Sequence, residues 1–547
     1  MASLVLANAR ASVALLFRVI DEKLSTVRPW KLVVYGAVGA YAFLLIRGWM
    51  RSPESTSSRL RRKFFATLRK IPLVRHKIES ELNKVRGQVE DKVHKCDKER
   101  KFHKQLPLAA MEKDQLLDEA RKYYELEGLP YLSGKVSGGV FVDNASDLRA
   151  ILKEVFDLFA WSNPLHPHIY PGCRKMEAEV VRMCCNLFHG GPESCGTMST
   201  GGTVSILLAC LAYRNRAYSL GIRQPEMVIP LSAHAAFDKA AEVFGIGVRK
   251  VKLDPNTLKV DVQAMRKAIS SRTCMLVGSA PGFPHGVVDP IGEIAKLGLC
   301  YKVPVHVDAC LGGWLLPFVN LDHYGVEVYD FRLPGVTSIS SDSHKYGLAP
   351  KGSSVVVYRS PEYVHHQYFC ATDWPGGIYA SSTLEGSRSG ANIALCWATM
   401  LHFGQERYSQ MARKIMDTTR LLRIGIDQIE GMETIGCSDV CIVAFTSSVV
   451  DIYAVADKMS AKQWHIDILQ NPPALHVMVT LNQTKPGVLE AFLSDMRTAV
   501  RELLERPSSY KPGAAAMYGM AAKIPDRSIV ADFSTMYLDC CYSTDEK

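Results

Sequence analysis

The chain has 547 residues, of which 47% are apolar and 22% are charged. This ordinary globular composition excludes a mainly disordered chain and provides for one large domain and a smaller one. The formal net charge of +10 makes nucleic acid and membrane surfaces the partners to consider. Much of the excess lies between Arg47 and Lys77, and no basic motif with interleaved aromatic residues follows it. We therefore expect a membrane-proximal flank and no nucleic-acid partner.

Residues 30–50 contain an uncharged apolar run from Leu32 to Ile46, with tryptophan and basic residues at both ends. About 20 residues are available, which at 1.5 Å per residue approaches the ~30 Å thickness of a bilayer core. The run lies far from Met1 and no small-residue cleavage site follows it, which argues against a cleavable signal peptide. The sequence therefore predicts a single transmembrane anchor.

The basic residues after Ile46 indicate which side of the membrane each part of the chain occupies. Positive charge next to a span favours the cytosolic side. We therefore expect residues 1–29 to be lumenal and the bulk of the chain to be cytosolic.

The fifteen cysteines are scattered, and their closest pairs are the vicinal Cys184–Cys185 and Cys540–Cys541. Paired C-x-x-C spacing is absent from the sequence. This argues against a disulfide framework and a zinc site, and it indicates a reducing compartment. We expect no metal.

Residues 51–125 are charged and helix-prone, and we interpret them as a linker and N-terminal arm without catalytic residues. From residue 126 to 405, short apolar strands alternate with helical stretches, which predicts an α/β domain with a large, mostly parallel sheet. The predicted strands are Met227–Pro230, Arg249–Leu253, Thr273–Gly278, Val303–Val307, Val336–Ser340 and Ser354–Tyr358. The predicted helices between them include Val262–Ser270 and Ile291–Tyr301.

Residues 406–547 form a second, smaller predicted α/β domain. A long helix is predicted over Arg407–Glu430, and a further helix over Ile452–Lys462. Strand-like segments occupy Val440–Thr446 and Ala474–Leu481.

Four polar features follow predicted strands of the large domain. Lys345 lies in the segment Ser-Asp-Ser-His-Lys-Tyr-Gly that ends at Gly347, and Asp308 ends the apolar strand that begins at Val303. The loop Ser199–Thr203 contains two adjacent glycines before an apolar helix, and His234 follows another strand. In parallel sheets, binding sites lie at the carboxyl ends of strands.

Each feature alone has an ordinary structural explanation. A lysine after a strand is usually a solvated loop residue, an aspartate there can cap a helix or form a salt bridge, and a lone histidine is usually structural. Together they supply an amine for a Schiff base, an acid for a pyridine nitrogen, a phosphate-binding helix N-terminus and a group against a ring face. This combination predicts pyridoxal 5'-phosphate. The G-x-G-x-x-G and Walker A patterns are absent from the sequence, which argues against a nucleotide.

The order of these motifs resembles fold-type I pyridoxal-phosphate enzymes of the group II decarboxylase branch, and within it the sphingosine-1-phosphate lyase family. The resemblance extends from about Gly128 to Asp545. Its clearest segments are Trp161–Pro167, Ser232–Phe237, Phe283–Gly286, His306–Gly313, His344–Ser354 and Asp373–Ala380.

The resemblance implies a role for each candidate residue. Lys345 is the Schiff-base lysine, Asp308 contacts the pyridinium nitrogen and His234 covers the ring. The residues implied around the cofactor phosphate are Gly201, Gly202, Thr203 and His344. The residues implied to bind substrate are Lys351, Asn163 and His166, with Tyr379 and Arg388 in the active-site wall of the same or the neighbouring subunit.

The resemblance also implies the reaction and the setting. A phosphorylated sphingoid base would be cleaved between Cα and Cβ by a retro-aldol step, giving a long-chain aldehyde and phosphoethanolamine. His234, Tyr379 and a phosphate oxygen all stay open as the base for the substrate hydroxyl. The family further implies a homodimer with shared sites and an endoplasmic reticulum membrane with a cytosolic catalytic domain.

Three positions depart from the family pattern: Val204 replaces a carboxylate, Phe141 replaces a tyrosine and His168 replaces an aspartate. They leave two alternatives to the lyase open. One is a pyridoxal-phosphate amino-acid decarboxylase, and the other is a catalytically weak membrane-anchored scaffold.

Overall fold

The computed structural model of the chain describes residues 67–96, 101–126, 130–143, 146–437, 440–505 and 526–544, together with residues 28, 31, 34, 38, 39, 60, 64, 65, 128, 513, 515, 519 and 524. By its internal contacts the chain divides into two units, residues 1–81 and 82–547. The predicted lumenal segment and most of the predicted anchor at residues 30–50 lie outside the described residues. Within the described part, no helix has the length and apolarity that crossing a membrane requires.

Thirteen strands occur in the described part of the chain, numbered β1 to β13 in chain order. They are Cys195–Ser199, Glu226–Pro230, Gly247–Val251, Thr273–Ser279, Val305–Asp308, Val336–Ser341, Ser354–Tyr358, Phe369–Ala371, Tyr379–Ser381, Glu433–Thr434, Ile442–Thr446, Asp467–Leu469 and Ala474–Met478. The α-helices whose bounds are defined within the described part are Pro72–Val93, Lys113–Tyr124, Ser146–Phe159, Pro171–Leu187, Gly202–Ser219, Ala236–Phe244, Val262–Ala268, Ile291–Tyr301, Leu321–Tyr324, Pro361–Val364, Gly390–Asp427, Ile452–Ala461, Val488–Glu505 and Arg527–Tyr542.

The large sheet has seven strands in the order β1-β7-β6-β5-β4-β2-β3. The pairs β2/β3, β2/β4, β4/β5 and β5/β6 are parallel, whereas β7 runs antiparallel to both β1 and β6. All residues of β2, β4, β5, β6 and β7 are buried. Burial on both faces explains the apolar runs in β2, β4 and β7, whereas β6 contains three buried serines. The prediction of a mostly parallel sheet is confirmed.

The small sheet is antiparallel throughout, in the order β10-β11-β13-β12. It contains the two strands predicted near Val440 and Ala474, and the helix Ile452–Ala461 is capped by Asp451, whose carboxylate accepts from the Tyr453 amide at 2.9 Å. The domain boundaries proposed from the sequence stay predictions.

The long helix begins earlier than the sequence predicts. It runs over Gly390–Asp427 rather than from Arg407, and it is interrupted at Gly404, whose φ is 58°. A glycine adopts this left-handed conformation without strain. The break falls just before the predicted start, which explains why the sequence predicts only the second half of the helix.

The helix-prone character predicted for residues 51–125 agrees with the helices Pro72–Val93 and Lys113–Tyr124. The sequence did not predict the final helix, Arg527–Tyr542. Its C-terminal turn lies beside His94, which directly follows the helix Pro72–Val93, because the His94 ring nitrogen Nε2 is 3.0 Å from the Cys540 carbonyl oxygen.

The helix Ile291–Tyr301 packs closely on the sheet through Gly298. A Cβ atom at Gly298 would lie 2.9 Å from the Val303 carbonyl oxygen and would also overlap the Val305 side chain. Gly292, in the same helix, has no atom within 4 Å of the same position. The two glycines therefore differ in packing but share a helical backbone.

We expect Gly298→Ala to destabilise the protein by about 1–3 kcal/mol, because the added methyl overpacks the core. Gly292→Ala is the matched control, and it should stabilise the protein by up to about 1 kcal/mol through helix propensity alone. Chemical denaturation of both variants measures the difference. Equal effects of the two substitutions would contradict the packing of this helix.

Candidate active site

The carboxyl ends of the parallel strands β2, β4, β5 and β6 surround a pocket of about 400 Å³. This edge is where binding sites of parallel sheets lie. The pocket is lined by all seven residues that the sequence predicts around the cofactor: Gly201, Gly202, Thr203, His234, Asp308, His344 and Lys345. The sequence therefore identified the constellation, although the residues span more than 140 positions.

Lys345 is paired with a carboxylate that the sequence analysis did not single out. Its Nζ lies 3.0 Å from Oδ2 of Asp342, which is only 2% exposed. Burial alone would lower the pKa of Lys345, but the charge and hydrogen bond of Asp342 raise it above its ordinary value. Without cofactor, Lys345 is therefore an ammonium group.

Asp342 retains one oxygen without a hydrogen-bond partner, Oδ1, although the oxygen is buried. The carboxylate lies against the first residue of the helix Gly202–Ser219, since a Cβ at Gly202 would come within 2.5 Å of Oδ2. A Cβ at Gly201 would lie 3.3 Å from Cε1 of His344. Glycine at both positions keeps the helix N-terminus open to a bound group.

Asp308, at the end of β5, is held by several donors. Its Oδ1 accepts from the Cys310 amide at 3.1 Å and from the Ser340 hydroxyl at 3.5 Å. Behind it, the ring nitrogens of His306 lie 2.8 Å from Ser338 Oγ and 3.2 Å from Ser340 Oγ. Burial lowers the pKa of His306 to about 4, so its ring is neutral and acts as a hydrogen-bonded support.

His234 follows β2 and lines the pocket. Its Nδ1 accepts from the Ala236 amide at 3.1 Å, which fixes the ring at the start of the helix Ala236–Phe244. The ring lies edge-on to Phe283 with centroids 6.5 Å apart. Phe283 also lines the pocket. The sequence points to it only as the first residue of the Phe283–Gly286 segment.

Lys351 does not line the pocket, but it lies close to one of the pocket residues. Its Nζ is 3.4 Å from the His344 carbonyl oxygen and 4.8 Å from the centre of the Phe141 ring. Partial burial, and then the positive charge of Lys345, lower the pKa of Lys351. Phe141 is 5% exposed and packs against Tyr346. The departure at Phe141 thus lies directly beneath the amine predicted to bind the substrate phosphate.

Asn163 and Arg388 hold two segments together. The Asn163 amide donates to Ser387 Oγ at 3.0 Å, and its oxygen accepts from the Arg388 amide at 3.4 Å. The Arg388 guanidinium donates twice to Glu177, at 2.6 and 2.9 Å. In the described structure Arg388 is therefore engaged in a bidentate pair, and its substrate role stays a prediction.

His166 and Tyr379 also lie outside the pocket lining. His166 is exposed next to His168, with ring centroids 6.1 Å apart. Tyr379 begins β9 and lies near Trp374, with centroids 6.3 Å apart. Their assignment to substrate stays a prediction, since this chain alone does not bring them to Lys345.

The family model for the pyridoxal-dependent decarboxylase conserved domain matches residues 139–448. Sphingosine-1-phosphate lyase 1 of Mus musculus is 44% identical over 518 residues, covering 94% of this chain and 91% of the mouse protein. The chain belongs to the sphingosine-1-phosphate lyase family. The Drosophila melanogaster sphingosine-1-phosphate lyase is 40% identical over 96% of both chains.

Solved structures agree with membership of the lyase family. Sphingosine-1-phosphate lyase Bpss2021 of Burkholderia pseudomallei K96243 superposes with a TM-score of 0.73 at 38% identity, covering 80% of this chain and 97% of that one. Glutamate decarboxylase of Lactobacillus brevis has a TM-score of 0.63 at 22% identity over 76% of this chain and 98% of that one, which shows a common fold alone.

The pocket of this lyase-family chain fits pyridoxal 5'-phosphate, the cofactor of its conserved domain. The open glycine turn at the helix N-terminus suits a phosphate, and the pocket volume suits a small cofactor. Lys345 and Asp308 supply the amine and the acid. The buried, unpartnered oxygen of Asp342 gives the cavity a further polar group that a bound molecule can satisfy.

Proposed function

We propose that this protein cleaves sphingosine 1-phosphate and related phosphorylated long-chain bases between Cα and Cβ, releasing a long-chain aldehyde and phosphoethanolamine. The observation that carries the proposal is the convergence of Lys345, Asp308 and the Gly201–Gly202 turn in one pocket of a chain that is 44% identical to the mouse lyase over 94% of its length.

The chain's own residues divide the work of holding the cofactor. Lys345 would hold its aldehyde carbon, Asp308 would keep its ring nitrogen protonated, and His234 would cover the ring face. Its phosphate would lie among Gly201, Gly202, Thr203 and His344. When bound, the cofactor supplies an electron sink for the pair of electrons released from the broken carbon–carbon bond.

Substrate recognition depends on charge at one end and on apolar surface at the other. The amine of Lys351 is the proposed contact for the substrate phosphate, together with Asn163 and His166 from the Trp161–Pro167 segment. Its lowered pKa reflects an amine partly removed from water, where an ion pair with phosphate is stronger than in bulk solvent. Tyr379 and Arg388 are proposed to complete the wall of the site.

A homodimer with shared active sites forms part of the proposal. Large apolar side chains are exposed in the segments that carry the proposed substrate residues: Trp161 is 91% exposed, Ile378 is 83% exposed and Trp374 is 57% exposed. Exposed apolar groups of this size mark interaction surfaces. A second copy covering these segments would bury them and bring Tyr379 to a neighbouring pocket.

We expect the protein to release aldehyde and phosphoethanolamine from sphingosine 1-phosphate, and Lys345→Ala to reduce this activity by at least about 1,000-fold. The same variant should lose the visible absorbance of the bound cofactor, because it removes the amine that holds it. Product analysis and absorbance spectra of the purified full chain measure both.

Glutamate and aromatic amino acids serve as control substrates, assayed for carbon dioxide. Carbon dioxide without aldehyde would favour the amino-acid decarboxylase alternative. A wild-type protein that lacks both cofactor absorbance and turnover would favour the scaffold alternative. The departures at Val204 and Phe141 are the reason for considering that alternative.

Lys351→Ala should raise KM for sphingosine 1-phosphate by about 10- to 100-fold, since a charge-assisted bond to phosphate contributes about 1.5–3 kcal/mol. The cofactor absorbance should stay unchanged. Lys351→Arg keeps the charge and should retain most of the affinity. Loss of absorbance in Lys351→Ala would instead assign Lys351 to the cofactor.

The proposal includes a single anchor at residues 30–50 in the endoplasmic reticulum membrane, with the catalytic part facing the cytosol. Its support is the uncharged run from Leu32 to Ile46 followed by basic residues. We expect a protease added to sealed microsomes to remove a C-terminal tag. Protection of the tag would contradict the cytosolic orientation, and extraction of the protein by alkaline carbonate would contradict the anchor.

A further inference from the structure

The loop of residues 281–286 follows β4 and forms part of the pocket wall through Pro281 and Phe283. Within the loop, the Gly286 amide donates to the Gly282 carbonyl at 3.0 Å, and the Gly282 amide donates to the Val287 carbonyl at 2.9 Å. Phe283 lies edge-on to His234, the residue proposed for the cofactor ring face. The position of this loop therefore determines the shape of the space beside His234.

The small sheet holds this loop from the other side. His476 lies on β13, and its Nδ1 is 2.9 Å from the Pro284 carbonyl oxygen. Its ring is also edge-on to Phe283, with centroids 4.9 Å apart. The backbone approaches closely here, since a Cβ at Gly286 would lie 2.5 Å from the Ile442 carbonyl oxygen on β11.

The second ring nitrogen of His476 faces an acid. Nε2 is 3.2 Å from Oδ2 of Asp467, an ion-pair distance, although the contact lacks the alignment of a hydrogen bond. The same carboxylate oxygen accepts from the Ser137 hydroxyl at 2.6 Å. His476 is completely buried, so water does not supply an alternative partner at its surface.

Both neighbours of the His476 ring accept hydrogen bonds and cannot donate them. A neutral imidazole carries a proton on only one nitrogen, so it would direct a lone pair at either the Pro284 carbonyl or the Asp467 carboxylate. The Pro284 contact has hydrogen-bond geometry and the Asp467 contact does not, so the Nδ1–H donated to Pro284 is the bond that holds the loop. Burial alone would raise the pKa of Asp467, but its contact with His476 lowers it below its ordinary value.

We propose that His476 is a positioning residue: its buried ring, bonded to the Pro284 carbonyl and packed on Phe283, ties the 281–286 loop to the small sheet and so fixes Phe283 beside His234 and sets the affinity for substrate. The kinetic part of this inference rests on the proposed lyase function. The structural part does not.

The other titratable groups that act on the pair, among the described residues, are His285 and His465. His285 is buried, and burial together with the charge of His476 lowers its pKa to about 4, so it is neutral near pH 7. His465 acts on Asp467, whose pKa it helps to lower.

The experiment compares His476→Gln and Asp467→Asn in the full chain loaded with cofactor. Hydrogen exchange at the Gly282 and Gly286 amides should be at least about tenfold faster in His476→Gln, because the loop loses its bond to Nδ1. Asp467→Asn keeps that bond and should have a smaller effect. The cofactor absorbance should be unchanged in both variants. In His476→Gln, KM for sphingosine 1-phosphate should rise by about tenfold while kcat changes by less than about twofold.

His189→Gln is the matched control. His189 pairs with the buried Asp330 at 2.9 Å, but neither residue lines the pocket. This variant should leave KM and loop exchange unchanged. Unchanged loop exchange in His476→Gln would overturn the inference, as would a fall in kcat at constant KM. A wild-type protein without turnover would count against the proposed function, while the exchange result would still decide the role of His476.

Discussion

Four parallel strands of the large sheet end at one edge, and the pocket exists because of this alignment. Each strand delivers one element: His234 after β2, Phe283 after β4, Asp308 at the end of β5, and Asp342 with Lys345 after β6. The strands are buried on both faces, so their ends cannot shift independently. A rigid edge holds groups that are distant in sequence at the distances that the chemistry needs.

Much of this edge could be predicted from the sequence, for a physical reason. A strand buried on both faces is a run of apolar residues, and the polar residue that follows it stands out. The predicted limits of β2, β4, β5, β6 and β7 accordingly differ from the structure by at most two residues at either end. The short strands β1, β8 and β9 are less buried or less apolar, and the sequence gives them no comparable signal.

What the sequence could not indicate depends on the surroundings. In the sequence, Asp342 is an ordinary polar residue after a strand. Only its burial beside Lys345 in the structure shows that it pairs with the lysine amine. A search for acids three positions before a candidate lysine would have found it. Arg388 is the opposite case, since the family resemblance implies a place in the active-site wall but its guanidinium donates to Glu177. Residues proposed to act across a subunit boundary cannot be tested by the fold of a single chain.

The pairing of Lys345 with Asp342 has a consequence for which molecules the enzyme reacts with. An ammonium group has no lone pair, so it does not condense with carbonyl compounds. The proposed reaction releases a long-chain aldehyde within reach of this same lysine. The cofactor is also an aldehyde, but it carries a phosphate for which the helix N-terminus at Gly202 provides a site. Selection among aldehydes therefore depends on docking rather than on intrinsic reactivity, because the ion pair with Asp342 disfavours condensation with an aldehyde that the site does not hold.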